Sequence, residues 1–315
     1  MPFSLFHTVA TVGILLQTAT AYTQVNIKAP FMLKNIDPIV FPGQHSKSHL
    51  HSFFGSDAVT VNTNASAELQ AGCTNAQNIN DLSTYWVPTP LFTNDGGKTW
   101  EPMGMFRFSA YYNLGEVEAE VPIPQNLKMV AGIATSTAPD GMDAAAKATW
   151  GCESEAVPLD KNGFPSSTCS THVQQLLYFP QCVNTETLET AYADRTCPEG
   201  YKRMPQLRFS IRWDLRKNLP NGWSGEAPIK LACGPAWCSH GDFINGWTEE
   251  AATDMLKSTV DKKKYISVIG DGQTAACTPA DADPAHGTSD YAESVAAMSK
   301  RSVRSWGWKS RSRFI

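Results

Sequence analysis

The segment Cys238-Ser-His-Gly-Asp-Phe-Ile-Asn-Gly-Trp247 combines two ionisable side chains with glycines and large aromatic residues. His240 and Asp242 are two residues apart, so their side chains lie on one face of the segment if it is extended. Gly241 between them lets the backbone bend or lets another group approach closely.

A second segment, Ser48-His-Leu-His51, repeats the two-residue spacing with His49 and His51. In an extended segment these two imidazoles share one face. We expect the two segments to meet in the folded protein. They would then form one polar site from His49, His51, His240 and Asp242.

Three neutral imidazoles and a carboxylate are residue types that hold zinc or copper. His49, His51 and His240 are therefore predicted metal ligands, and Zn or Cu is the candidate cofactor. Asp242 serves either as a further ligand or as a partner that fixes a histidine tautomer. A copper monooxygenase brace is disfavoured, because it needs an N-terminal histidine and the predicted mature chain begins at Tyr22. The alternative is that these histidines are structural residues without a ligand.

The same residues also fit acid–base cleavage of a polysaccharide, which requires two carboxylates, one as proton donor and one as base or nucleophile. Asp242 is the first candidate catalytic carboxylate, and Asp37 or Asp81 is the second. His49 or His51 is a further candidate base, because the usual pKa of histidine is close to neutral. Asp37 and Asp81 also lie in sequences typical of Asx turns, which is the structural alternative for both.

Several tryptophans lie in loop-like sequence contexts. They indicate a carbohydrate partner, because flat aromatic rings stack on the faces of sugar rings. Trp86, Trp237 and Trp247 are the predicted substrate-binding residues. The alternative is that each of them packs in the core. The sequence has no Gly-x-Ser-x-Gly elbow, phosphate loop, dinucleotide fingerprint or His-Glu-x-x-His motif. Serine hydrolase, kinase and dehydrogenase activities therefore lack support.

Residues 1–21 have the features of a secretory signal peptide. Residues 5–16 are nearly all apolar, and Ala19-Thr-Ala21 fits the small-x-small cleavage rule. All eight cysteines follow this segment, and an even number in an oxidising compartment predicts up to four disulfides, with Cys233 and Cys238 close enough to pair. No later apolar run is long enough to cross a bilayer. We expect a secreted, monomeric protein without a transmembrane segment.

The formal net charge of −4 hides a basic C-terminal end. Without its last six basic residues, which begin at Lys300, the chain has 20 basic and 30 acidic residues, or a charge of −10. An acidic exported body argues against a nucleic-acid partner. Residues 278–315 are predicted to be a polar linker and a disordered basic tail, with a cell-wall anchor as the functional alternative. A sequon at Asn64 predicts a glycosylation site.

Residues 22–277 have the pattern of one mostly-β domain, a β-sandwich or jelly-roll-like body with long disulfide-tied loops. The stretch from Leu207 to Trp213 alternates apolar and polar residues, as a half-buried strand does. Asn94-Asp-Gly-Gly97 predicts a hairpin turn. Thr248 to Lys257 predicts a helix with Thr248 as its N-cap.

Five sequence blocks occur in an order that points to a known family. They are IDPIVFPGQHSKSHLHSFFG (36–55), CTNAQNINDLSTYWVPTPLF (73–92), LYFPQCVN (177–184), CPEGYKRMPQLRFSIRWD (197–214) and HGDFINGW (240–247). Together they resemble the fungal secreted family DUF1996, whose members often carry WSC carbohydrate-binding modules; this chain has none. The resemblance covers roughly residues 30–260. It implies an exported fungal protein and assigns no activity.

We therefore expect a secreted or wall-associated protein that acts on cell-wall or plant polysaccharide. The first hypothesis is a glycan-cleaving enzyme, a hydrolase or a lyase, whose site joins the predicted histidines and Asp242. The alternative is a non-catalytic carbohydrate-binding or wall-associated protein.

Overall fold

Alternation of buried and half-buried residues along the strands determines which side of each sheet faces the core. The computed structural model describes residues 22–113, 117–258 and 264–307, with the backbone alone for 300–307. The predicted signal peptide, residues 1–21, lies outside the described residues. The strands in chain order are β1 Thr23–Ile27, β2 Met32–Lys34, β3 His51–Gly55, β4 Thr84–Pro88, β5 Pro90–Phe92, β6 Glu101–Pro102, β7 Met105–Tyr112, β8 Lys128–Gly132, β9 Thr149–Cys152, β10 His172–Tyr178, β11 Cys182–Val183, β12 Thr190–Ala191, β13 Lys202–Arg203, β14 Arg208–Asp214, β15 Ile229–Leu231 and β16 His240–Ile244.

Helices are short apart from the last one. Thr248 caps α3 as predicted, because its side chain accepts a hydrogen bond from the Ala251 amide. The α-helices are α1 Ser66–Gln70, α2 Leu215–Asn218, α3 Glu249–Asp254 and α4 Tyr291–Gly307, and the 3-10 turns are His45–Lys47, Pro139–Gly141, Ala144–Ala146, Ala236–Cys238 and Met255–Lys257.

Two five-stranded antiparallel sheets form the body of the fold. The first sheet has the strand order β1-β7-β14-β10-β9, and the second has the order β2-β3-β4-β16-β8. Two three-stranded sheets, β15-β5-β6 and β12-β11-β13, lie outside this pair. The β5–β6 pairing closes the predicted hairpin over residues 94–97. The prediction of a mostly-β, sandwich-like domain is confirmed.

Aromatic side chains from the facing sides of the two sheets make the core. The ring of Tyr85 on β4 lies 5.7 Å from that of Phe108 and 5.8 Å from that of Phe209, both on the first sheet. Burying an aromatic ring of this size contributes about 1.5–3 kcal/mol to stability. The sheets approach closely at Gly241, where a Cβ atom would lie 2.5 Å from Leu177. Of the two roles given above for Gly241, the structure shows the close approach of another group.

Four disulfides tie the loops to this body. They are Cys73–Cys277, Cys152–Cys169, Cys182–Cys197 and Cys233–Cys238. All eight cysteines are paired, and the predicted pairing of Cys233 with Cys238 is confirmed. Among the described helices, none is both long enough and apolar enough to cross a bilayer.

The segment after Cys277 packs against the outer side of the second sheet. Lys34 is only 3 % exposed, and its ammonium pairs with Asp281 at 2.6 Å. Asp283 accepts a hydrogen bond from the Val61 amide at 3.1 Å. A buried ammonium requires an anionic partner, which the carboxylate of Asp281 supplies, and the backbone carbonyl of Asp283 accepts a second hydrogen bond from it. Residues 278–299, expected from their composition to be a disordered linker, lie against this sheet in the structure and continue into α4.

A line of buried hydrogen bonds crosses the core. Trp247 Nε1 donates to the Tyr112 hydroxyl at 3.1 Å, and the hydroxyls of Tyr112 and Tyr85 are 2.6 Å apart. Tyr85 donates to Asp81 Oδ2 at 2.5 Å. Asp81, considered above as a catalytic carboxylate, instead ends this line and also accepts from the Ser83 amide, as in an Asx turn.

The pH dependence of stability tests this arrangement. Burial raises the pKa of Asp81 from 3.8 to about 7. Between these values the unfolded chain has lost the proton that the folded chain retains, so the contribution of Asp81 to stability falls as pH rises, by up to about 1.4 kcal/mol per pH unit. We predict that urea unfolding will show the wild type losing stability relative to Asp81→Asn from about pH 4 to pH 7. A difference that does not change over this range would contradict the assignment.

Candidate metal centre

Three imidazoles from two remote segments meet on the outer face of the second sheet. His51 begins β3, His240 begins β16, and β4 lies between these two strands. The ring centroids of His49 and His51 are 4.2 Å apart, those of His49 and His240 are 5.0 Å apart, and those of His51 and His240 are 5.6 Å apart. The predicted convergence of the two segments is therefore observed. We call His49, His51 and His240 the histidine cluster.

Backbone carbonyls fix the tautomers of two of these rings. Nδ1 of His51 lies 2.9 Å from the Ile36 carbonyl oxygen, and Nδ1 of His240 lies 2.8 Å from that of Cys238. A carbonyl only accepts hydrogen bonds, so each Nδ1 carries the proton. Each neutral ring then has a lone pair on Nε2. The two Nε2 atoms are 3.4 Å apart. Since neither carries a proton, no hydrogen bond joins them and their lone pairs repel each other.

The spacing of these atoms fits a shared metal ion. Two nitrogens bound to one zinc ion at 2.0–2.1 Å with a tetrahedral angle are about 3.3 Å apart. The observed separation of 3.4 Å between the two Nε2 atoms is close to this value. Each ring of the histidine cluster has a nitrogen within 4.8 Å of a nitrogen of the other two. Nε2 of His49 is buried and has no hydrogen-bond partner in the described part of the chain.

Burial keeps the histidine cluster uncharged near neutral pH. It is the main reason why the pKa values of His49 and His51 lie well below 6.5, and the neighbouring imidazoles lower them further. Burial also lowers the pKa of His240 to about 4. Neutral imidazoles bind a metal without first losing a proton. The cluster is therefore in the protonation state that a ligand set requires.

Asp242 adds a carboxylate without a partner. Both of its oxygens are buried and accept no hydrogen bond from the residues that the structure describes, and Oδ2 lies 3.9 Å from Nε2 of His240. Burial, and then the charge of Asp37, raise the pKa of Asp242 well above its usual value. Asp37 itself accepts hydrogen bonds from the Ile39 and Val40 amides, which is the Asx-turn alternative given for it above. A divalent cation would balance these buried acids.

The candidate ligand atoms are closed off from solvent. His51 and Asp242 are 0 % exposed, and His240 is 2 % exposed. His49 is half-buried as a whole residue, although its Nε2 is inaccessible. A polysaccharide chain cannot contact ligand atoms that are closed off in this way. The burial favours a closed centre over an open catalytic cleft.

The structure corrects two of the predicted sugar-binding residues. Trp86 is fully buried and stacks on Phe53 at 5.3 Å between ring centroids, and Trp247 is fully buried in the core. Neither indole has a face left for a sugar. Trp237 is half-buried, with one face against Gly163, where a Cβ atom would lie 2.9 Å from the ring. It keeps the role of a proposed stacking residue.

Two contributors to the site were not predicted. The carbonyls of Ile36 and Cys238 set the histidine tautomers, and backbone acceptors leave no mark in side-chain identity. Only for Cys238 did the sequence contain an indirect indication. Its disulfide to Cys233 fixes the turn in which the Cys238 carbonyl lies.

Fold and site define a disulfide-bonded β-sandwich protein with a buried cluster of three histidines beside a carboxylate. The family described as Domain of unknown function (DUF1996) matches residues 37–247, a range that includes the whole cluster and Asp242. The chain belongs to this family. No curated protein and no solved structure matches it.

The unpaired carboxylate gives a test of the metal-free site. Asp242→Asn keeps the volume and removes a buried group whose ionised form has no partner. We predict that the variant, unfolded by urea in the presence of a chelator, is more stable than the wild type by about 1–3 kcal/mol. Asp140→Asn, at an exposed carboxylate, is the control and should change stability by less than about 1 kcal/mol. A less stable Asp242→Asn protein would contradict this account of the site.

Proposed function

We propose that this protein binds one divalent transition-metal ion through the histidine cluster, with Asp242 as the fourth ligand. One observation carries the proposal: the Nε2 atoms of His51 and His240 lie 3.4 Å apart, and both carry lone pairs. Without an ion this arrangement is repulsive. With an ion between them, both lone pairs form bonds.

Zinc fits the donor set best. Three imidazole nitrogens and one carboxylate oxygen provide four ligands, which is the number that a tetrahedral zinc site requires. Copper(II) is the second candidate, because it also takes imidazole but prefers a tetragonal arrangement. The burial of the donors supports a closed site in which the ion stabilises the fold. In such sites the free energy of metal binding adds to the free energy of folding.

Elemental analysis of chelator-free protein, purified from a secreting host, tests the proposal. We predict close to one equivalent of zinc or copper per wild-type chain. His51→Ala and His240→Ala should each lose the metal, because each removes one of the facing nitrogens. His172→Ala is the matched control, since His172 pairs with Glu153 outside the cluster and should leave the metal content unchanged.

Thermal unfolding provides a second readout. A chelator should lower the melting temperature of the wild type and of His172→Ala, and should have no effect on His240→Ala, because a ligand bound only by the folded state stabilises it. Wild-type protein that contains no metal and gains no stability from added zinc or copper would refute the proposal.

The compartment and the carbohydrate partner belong to this proposal as well. Four disulfides support an oxidising, extracellular location. Carbohydrate binding without catalysis is the second candidate function, and the burial of Asp242 and the cluster favours it over hydrolase or lyase chemistry there. The half-buried ring of Trp237 is compatible with such binding. A cell wall or plant glycan remains the proposed partner.

A further inference from the structure

The outer face of the first sheet carries a line of alternating aromatic and cationic side chains. Tyr111 on β7, Arg208 on β14 and Tyr178 on β10 lie opposite one another in the strand register. The Arg208 guanidinium lies 4.3 Å from the Tyr111 ring and 5.8 Å from the Tyr178 ring. Tyr22 extends the line at one end, 5.4 Å from Tyr111, and Lys147 at the other, 5.7 Å from Tyr178. We call these five residues the tyrosine–arginine row.

A second cationic position lies four residues along the strands, roughly 13 Å away. Here Arg107 on β7 lies opposite Arg212 on β14. Arg212 and His172 both pair with Glu153. Exposed Phe106 stacks on the His172 ring with an angle of 5° between the planes. This end of the face therefore also combines cations with an accessible aromatic ring.

Two of these arginines have no acidic partner in the part of the chain that the structure describes. Arg107 and Arg208 form no ion pair there, and the Nε atom of each is buried without an acceptor. The chain as a whole carries a net charge of −4, so a face with unpaired cations differs in sign from the protein's overall charge. Guanidinium groups bind carboxylates with paired hydrogen bonds, and in these two side chains the terminal Nη atoms are left for this, because Nε is buried.

Amides and hydroxyls fill the space between the two cationic positions. Gln24, Asn26 and Gln174 are half-buried on the same outer face, and they hydrogen-bond to Ser109 and Ser210, which are buried beneath them. These side chains offer both donors and acceptors. A surface with this composition matches a chain that carries many hydroxyl groups as well as carboxylates.

We propose that this face binds an acidic polysaccharide, with its carboxylates on Arg107 and Arg208 and its sugar rings on Tyr111 and Tyr178. This proposal rests on the second candidate function given above, carbohydrate binding without catalysis. It adds where on the protein the carbohydrate binds and that the carbohydrate is acidic. It is independent of the metal centre, which lies on the outer face of the other sheet.

Retention of the protein in native gels that contain polygalacturonate tests the proposal. The wild type should be retarded, and the retardation should disappear with a fully methyl-esterified polygalacturonate or with a neutral glucan. Arg107→Gln/Arg208→Gln should weaken the affinity about tenfold or more, because each change removes a charged hydrogen-bonding group. The control Lys98→Gln/Lys257→Gln removes the same net charge from exposed positions elsewhere and should leave the affinity nearly unchanged.

Several outcomes would overturn the inference. They are equal retention of the two double variants, equal retention by the esterified or neutral polymer, and binding of the wild type to anionic phospholipid vesicles but not to polygalacturonate. Lys147 is exposed at one end of the tyrosine–arginine row, so Lys147→Gln provides a second test if the double arginine variant does not fold. This variant should also bind polygalacturonate more weakly than the wild type. His240→Ala should lose metal and keep polygalacturonate binding, so the two proposals fail separately.

Discussion

Two imidazole nitrogens with lone pairs face each other 3.4 Å apart inside the protein. The repulsion between these lone pairs is the feature that the surrounding groups must hold in place. Carbonyls of Ile36 and Cys238 hold the rings of His51 and His240 in this orientation. Burial removes the water that would otherwise bond to these nitrogens, and it lowers both pKa values, so a proton does not relieve the repulsion near neutral pH. A divalent cation does relieve it, because it accepts both lone pairs and balances the charge of Asp242.

The sandwich is what makes such a site available. Successive residues of β16 point to opposite faces, so Gly241 faces the core, where it lets the sheets approach, while its neighbours carry the site on the other face. The Cys233–Cys238 disulfide closes a short loop whose last carbonyl orients His240. The segment that follows Cys277 neutralises Lys34 and lies over the loop that leads to His49. Core, disulfide and covering segment thus all support the same cluster.

Sequence reasoning succeeded where a short-range pattern determined the outcome. The two-residue spacings around His51 and His240 predicted shared faces, and strand pairing then brought these faces together. It failed where burial is decided by contacts remote in sequence. Trp86 and Trp247 have sequence contexts like that of the half-buried Trp237, yet they pack in the interior. The polar composition of residues 278–299 predicted disorder, because nothing local shows that acids in this segment meet a buried ammonium on β2.

A crystal structure of chelator-free protein, with diffraction data collected on both sides of the zinc and copper absorption edges, tests the central claim most directly. We expect one anomalous peak about 2.0–2.1 Å from the Nε2 atoms of His51 and His240, with His49 and Asp242 completing the coordination. An ordered cluster without an anomalous peak, in which a water molecule or a direct hydrogen bond joins the two facing nitrogens, would contradict it.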